Sequence, residues 1–271
     1  MNNNLLAFTY KTPLTLQHGN VEYVAGFCVS KLSLEELNAN YSDFLHVEEE
    51  KYFMSLRYPK RQHSYLLGRY CAKQSLILYI QNNQPTTLWI KNGVFQQPIV
   101  YSSFPTDAQV SISHTDTFGA ALAFSEAHPM GIDVEHICAT KAATIKSQLT
   151  LAEQQKIISF SDDSPLFLTL FWTVKEALSK VIKCGFTIPS KLLEIGDIQL
   201  KENYVESKFK NFQQYQALSF SVANYVCSIV YPKNSVLTSN LSAIKTAMTE
   251  LPMPQPEYDL TSNKPTISNS A

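Results

Sequence analysis

The chain has 271 residues, 45% hydrophobic and 17% charged, with a formal net charge of −1, so it holds enough chain for a full core and lacks a global field for long nucleic acid. Five scattered cysteines, Cys28, Cys71, Cys138, Cys184 and Cys227, form no close pair, which favours free thiols in a reducing compartment over a disulfide framework or a zinc site. No window reaches the roughly eighteen apolar residues of a membrane span, and the start Met1-Asn2-Asn3-Asn4 lacks the basic and apolar parts of a signal peptide, so the expectation is a cytoplasmic protein with no membrane partner.

Residues 5–30 read as short strands around a turn at His18-Gly19-Asn20. Ser33, with Glu36 at capping-box spacing, opens a helical stretch reaching Met54, and Pro59 interrupts it. A helix over 61–80 follows, with Arg69 and Lys73 four apart on it. Between Lys51 and Thr106 there is no acid, while Lys51, Arg57, Lys60, Arg61, Arg69, Lys73 and Lys91 fall there; a lobe stripped of acids offers a polyanion a docking surface. Strands are predicted near 88–91, 99–102, 110–113 and 120–124, and residues 125–129 mark a boundary between an N-terminal lobe (1–128) and a C-terminal lobe (129–235). In the second lobe a strand carries Asp133 and Glu135, and helices follow over 150–160 and 165–183, with Gly185 placed as a left-handed cap. Strands at 217–222 and 225–231 form a hairpin. The Ser, Thr, Asn and Pro content beyond Lys233 makes 236–271 a weakly ordered tail, with one short helix near 241–251. There is no short-period repeat.

Three segments carry chemistry. In Gly131-Ile132-Asp133-Val134-Glu135 the two acids stand two apart, so a strand presents both on one face, as oxygen ligands of a hard cation or as an ordinary solvated edge. In Trp172-Thr173-Val174-Lys175-Glu176-Ala177-Leu178-Ser179-Lys180, Glu176 and Lys180 share one side of a helix. A surface ion pair worth about 0.2–0.5 kcal/mol explains them equally well in isolation. However, Trp172, Glu176, Lys180 and Lys183 border the apolar stripe of Phe171, Val174, Leu178 and Val181, which holds functional groups firmly. Ser113-His114 ends a strand with a hydroxyl and an imidazole, both able to donate to phosphate oxygens; a plain surface histidine is the alternative, and no strained nucleophile turn is present. Neither G-x-x-x-x-G-K-[ST] nor G-x-G-x-x-G occurs, so the sequence does not support nucleotide binding through a glycine loop.

In order and spacing, Lys60-Arg61, Gly68-Arg69 with Lys73, Ser113-His114, G-x-D-x-E and W-x-x-K-E-A-x-x-K resemble the 4′-phosphopantetheinyl transferase superfamily, in its larger two-lobed type found with surfactin-type synthetases. The resemblance implies an α+β fold of two similar lobes related by a pseudo-two-fold axis, with coenzyme A in the cleft. It implies Asp133, Glu135 and Glu176 as ligands of Mg²⁺ (or Mn²⁺), and Lys180 as the lysine reaching the pyrophosphate. Ser113 and His114 would touch the coenzyme's phosphates, and Arg61, Arg69 and Lys73 fall in the region of cationic contacts. Members of this family often carry Gly-Lys-Pro before the Ser-His strand. Here Gln97 takes that lysine's place, so one charge-assisted contact is either lost or supplied by Lys91.

The implied reaction moves the phosphopantetheine arm of coenzyme A onto a serine of an apo acyl or peptidyl carrier protein, releasing adenosine 3′,5′-bisphosphate, as a holo-[acyl-carrier-protein] synthase does. Glu176 and Lys180 are the expected catalytic groups, Glu176 taking the serine proton and Lys180 neutralising developing charge. Two lobes in one chain favour a monomer, with no nucleic acid partner. Two alternatives remain open: a metal-dependent phosphodiesterase or nuclease using the same acids, and a non-catalytic binder of coenzyme A or carrier domains. The carrier and its pathway, whether fatty acid, polyketide or non-ribosomal peptide, are not specified by the residues.

Overall fold

A computed structural model describes residues 3–160, 164–185 and 187–253. After a short helix α1 (Asn3–Ala7), the β-branched and aromatic runs flanking Gly19 form strands β1 (Thr9–His18) and β2 (Val21–Ser30), with Gly19 at φ +58° in the turn. Helix α2 (Leu34–Asn40) starts on the Ser33–Glu36 capping box. The helix expected to run on to Met54 is instead broken. His46 and Glu49 make a second capping box, and α3 (Val47–Ser55) begins there. Pro59 does not interrupt a helix but opens α4 (Pro59–Ile80), at the first turn where its missing N–H costs nothing.

Next come β3 (Leu88–Asn92), β4 (Pro98–Ser102), β5 (Ala108–His114), β6 (Gly119–Ser125) and β7 (Gly131–His136), then α5 (Ala142–Ser147), α6 (Leu151–Phe160) and α7 (Pro165–Val181). Lys183 at φ +54° is the first left-handed residue after α7, ahead of Gly185 at φ +53°. The chain closes with β8 (Ile195–Leu200), β9 (Val205–Phe209), β10 (Tyr215–Val222), β11 (Tyr225–Pro232), β12 (Ser235–Leu237) and α8 (Leu241–Glu250).

Among the described residues the strands form two five-stranded antiparallel sheets, ordered β12-β1-β2-β6-β5 and β7-β11-β10-β9-β8, and a β3-β4 ribbon. Alternate residues of the two sheets face each other in one shared core, with Leu14, Phe27 and Leu122 meeting Ile132, Phe220 and Ile229. On the outer face of the first sheet α4 packs Leu66, Leu67 and Tyr70 against Cys28, Ala121 and Ala123. On the outer face of the second, α7 packs Phe171, Val174 and Leu178 against Val226 and Val230. The fold is α+β.

The two halves repeat their stabilising details. Glu49 accepts from Ile90 N (2.9 Å), closes its capping box with His46, and pairs with Lys73 at 2.7 Å. Glu153 accepts from Ile195 N (2.9 Å), closes a box with Thr150, and pairs with Lys175 at 2.7 Å.

Residues 236–251, expected as a weakly ordered tail, are built into the core; the tail's residues 254–271 lie outside the described residues. Strand β12 pairs Leu237 with Leu16, and α8 inserts Ile244, Met248 and Leu251 into the core shared by the sheets. The reason is amphipathic spacing, which polar composition alone hides. Lys31 donates to Leu251 O at 3.0 Å and so caps the carbonyl end of α8. Met248→Ala is expected to cost about 2–5 kcal/mol, measured by urea denaturation; a loss under about 1 kcal/mol would show that α8 is only draped on the surface.

Strand β12 is also tied by histidines. Ser235 Oγ is 2.9 Å from His18 Nδ1 and 2.8 Å from His128 Nε2, and the buried His128 Nδ1 has no partner. Burial, then the neighbouring His18, hold His128 below its ordinary value of 6.5. The unfolded chain therefore binds the proton more readily, so stability is full above that value and falls as pH drops through the lower folded value. Thermal midpoints measured from neutral pH down to moderate acidity should decline, and His128→Gln should flatten that decline.

Candidate active site

The candidate site lies where β7, the edge of the second sheet, runs beside β5. The outward N–H groups of β7 find no strand partner there. They donate instead to serine hydroxyls of β5: Ile132 N to Ser111 Oγ and Val134 N to Ser113 Oγ, both at 3.1 Å. Ser113 Oγ in turn donates to Asp133 Oδ1 at 2.7 Å. From α7, Lys180 Nζ donates to the same Oδ1 at 2.8 Å and to Ile132 O at 2.9 Å. A close helix–strand approach makes this reach possible. A Cβ on Gly131 would lie 2.3 Å from Ala177 O, and one on Gly26 only 2.0 Å from Ser75 O at the equivalent place under α4.

Asp133, Glu135 and Glu176 share one electrostatic neighbourhood. Burial, then Asp133, then Glu135 push Glu176 up to about 8, against the pull of Lys180. Burial and Asp133 also raise Glu135, while Lys141, 3.3 Å away, lowers it. Among the described residues, however, no three His, Cys, Asp or Glu side chains stand as a finished coordination group, and Asp133 Oδ1 is taken up by Lys180 and Ser113. The fit to a cation rests on the other oxygen. Asp133 Oδ2 is buried with no hydrogen-bond partner, in a set of mutually repelling oxygen donors, as a hard divalent ion requires.

Three cavities adjoin along this seam. Glu135, Glu176, Trp172 and Gln148 line one of about 320 Å³. Glu176 also borders a second of about 200 Å³, with Lys180, Lys183, Gln97 and Ile112. Ile112 borders a third, also about 200 Å³, which holds Arg61, Arg69, Tyr65 and His114. His114 keeps an exposed edge, yet burial of its ring, then Lys180, Arg61 and His63, hold it below its ordinary value. This end of the groove is cationic and suits phosphate oxygens.

The structure separates residues that the sequence grouped together. Lys73 is 0% exposed; it pairs with Glu49 and donates to Pro85 O and Leu88 O, so it does not face the groove. Arg69 lines the groove but is partly engaged, its Nη2 donating to Ile90 O and Asn92 Oδ1 and its guanidinium lying 4.8 Å over Tyr65. Ser113 and His114, consecutive on β5, point to opposite faces. The buried serine side chain serves the seam and Asp133, and the histidine alone faces the cationic cavity. Lys91 does not replace the lysine absent at Gln97. Its Nζ is 3.7 Å from Glu48 and lies over Tyr101, on a different cavity beside Trp89. Gln97 folds back to accept from Phe95 N at 2.9 Å. Ser111 was overlooked in the sequence, although its spacing of two from Ser113 was its signal.

Residues 129–230 match the family model described as the 4′-phosphopantetheinyl transferase superfamily. No curated protein matches. Among solved structures, the chain is similar to a holo-(acyl-carrier-protein) synthase from Bacillus anthracis str. Ames in complex with CoA (3′,5′-ADP), at 15% identity and a TM-score of 0.32, covering 42% of this chain and 97% of that one. It is also similar to the Thermotoga maritima holo-[acyl-carrier-protein] synthase, at 18% identity and a TM-score of 0.31, covering 46% and 70%.

Proposed function

We propose that this chain, whose residues 129–230 match the model of the 4′-phosphopantetheinyl transferase superfamily, transfers the phosphopantetheine arm of coenzyme A to a serine of an apo carrier protein. The observation that carries the reading is Asp133: a carboxylate buried at the seam, with one oxygen bonded by Ser113 and Lys180 and the other left without a partner.

In this reading Asp133, Glu135 and Glu176 would hold Mg²⁺, which when bound supplies charge stabilisation to phosphoryl oxygens. Arg61 and His114 bind the phosphates at the cationic end of the groove, with Arg69 supporting them, and Lys180 neutralises charge on the diphosphate as it is cleaved. The carrier serine oxygen bonds to the phosphorus bearing the pantetheine arm. The bond to the bridging oxygen breaks, and adenosine 3′,5′-bisphosphate leaves. Glu176 is the carboxylate that takes the serine proton, directly or through water. The two lobes complete the seam within one chain, so we assign a monomer. No described helix is long and apolar enough to cross a membrane.

The test is incubation with Mg²⁺, coenzyme A and an apo carrier, followed by mass spectrometry of the carrier. A gain equal to one phosphopantetheine arm supports the transferase. Cleavage of coenzyme A without any carrier would instead identify a phosphodiesterase, and binding without either reaction a non-catalytic relative.

A further inference from the structure

One cation of the seam has no part in the proposed transfer. Lys183 follows the end of α7 at φ +54°, a left-handed conformation that side chains other than glycine seldom adopt. This left-handed turn closes α7, as Gln81 at φ +59° closes α4. Its amino group reaches across the seam to β5, donating to Gln109 Oε1 at 3.0 Å, and no carboxylate partners it among the described residues.

Lys183 and Lys180 line the same 200 Å³ cavity, yet they differ electrically. Lys180 is paired with Asp133 at 2.8 Å, so part of its charge is already offset there. Among the described residues the Lys183 ammonium is bonded to a neutral amide and forms no ion pair, while Glu176 is the acid on the same cavity and Glu126 lines a smaller one beside it. In the function proposed above Glu176 is committed to the cation, which leaves Lys183 to meet an anion entering the cavity. Phe95, Pro98 and Ile112 add apolar surface to a wall that Gln96, Ser111 and Ser179 make partly polar.

We infer that Lys183 is a second phosphate anchor of the seam cavity, holding the nucleotide phosphates of the donor from the C-terminal lobe, opposite Arg61 and His114 on the N-terminal one. The identity of the donor rests on the proposed function; the anchor itself rests on the cavity.

Calorimetric titration of the full chain with coenzyme A and with adenosine 3′,5′-bisphosphate tests it. Lys183→Gln should weaken both by about tenfold, as loss of one charge-assisted contact does. Lys183→Arg should keep most of the affinity, and Lys201→Gln, at an exposed position in the β8–β9 connection, should change nothing. Lys183→Gly separates binding from structure: relief of the left-handed backbone should raise the thermal midpoint while affinity still falls. Equal affinity in the wild type and Lys183→Gln overturns the anchor and leaves the transferase standing. If the wild type itself binds neither compound, the anchor falls together with the reading it rests on.

Discussion

Asp133→Asn is expected to reduce transfer about a thousandfold or more, roughly 4 kcal/mol of lost transition-state stabilisation. The side chain keeps its shape and can still accept the Ser113 hydroxyl, so the seam should hold and circular dichroism should be unchanged. What disappears is the charge that pairs with Lys180 and the anionic oxygen buried without a partner. In the proposed reaction a charge at this position would both hold a cation and orient Lys180 toward the diphosphate. Near-normal turnover of the purified variant with saturating Mg²⁺ and coenzyme A would falsify the assignment. A collapse of the fold would shift the blame to the seam, and Ser113→Ala then separates the two. That variant removes the hydrogen bond to Asp133 and the acceptor of Val134 N while leaving the carboxylate present.

Lys175→Met carries the largest expected cost in stability, about 3–5 kcal/mol. Both Lys175 and Glu153 are 0% exposed, and the ammonium also donates to Gln148 O and Ser190 O, each at 3.2 Å. Burial lowers the affinity of Lys175 for its proton, while Glu153 restores it. Removing the cation would strand the Glu153 carboxylate, whose two oxygens also accept Thr150 N and Ile195 N. Urea denaturation of the wild type and variant, compared at constant m, reads the loss; a change under about 1 kcal/mol would mean that water reaches the pair. Lys73→Met should behave alike in the other half, since Lys73 and Glu49 repeat the arrangement.

That repetition explains why Lys73 looked functional in the sequence. A lysine four residues from an arginine on a basic helix resembles a phosphate contact. Its partner Glu49 is distant in sequence, and only the tertiary fold brings the two into contact. Lys175 teaches the converse: within one motif Lys175 is structural and Lys180, five residues on, belongs to the site, because they stand on different sides of α7. The break at His46, and the burial of the helix expected near 241–251, escape the sequence for a related reason. Each depends on a local hydrogen bond or a distant apolar surface that composition does not report.

By itself the sequence determined the family motifs, the strand placing Asp133 and Glu135, and the helix placing Glu176 and Lys180, because these follow from spacings of two and four within single elements. The tertiary structure alone decided which charges are free and which are spent. It buried Lys73 against Glu49, turned Ser113 toward the seam, and placed Lys183 beside a cavity with no ion pair among the described residues. Charge pairing and burial are set by residues far apart along the chain, and no local pattern encodes where those residues meet.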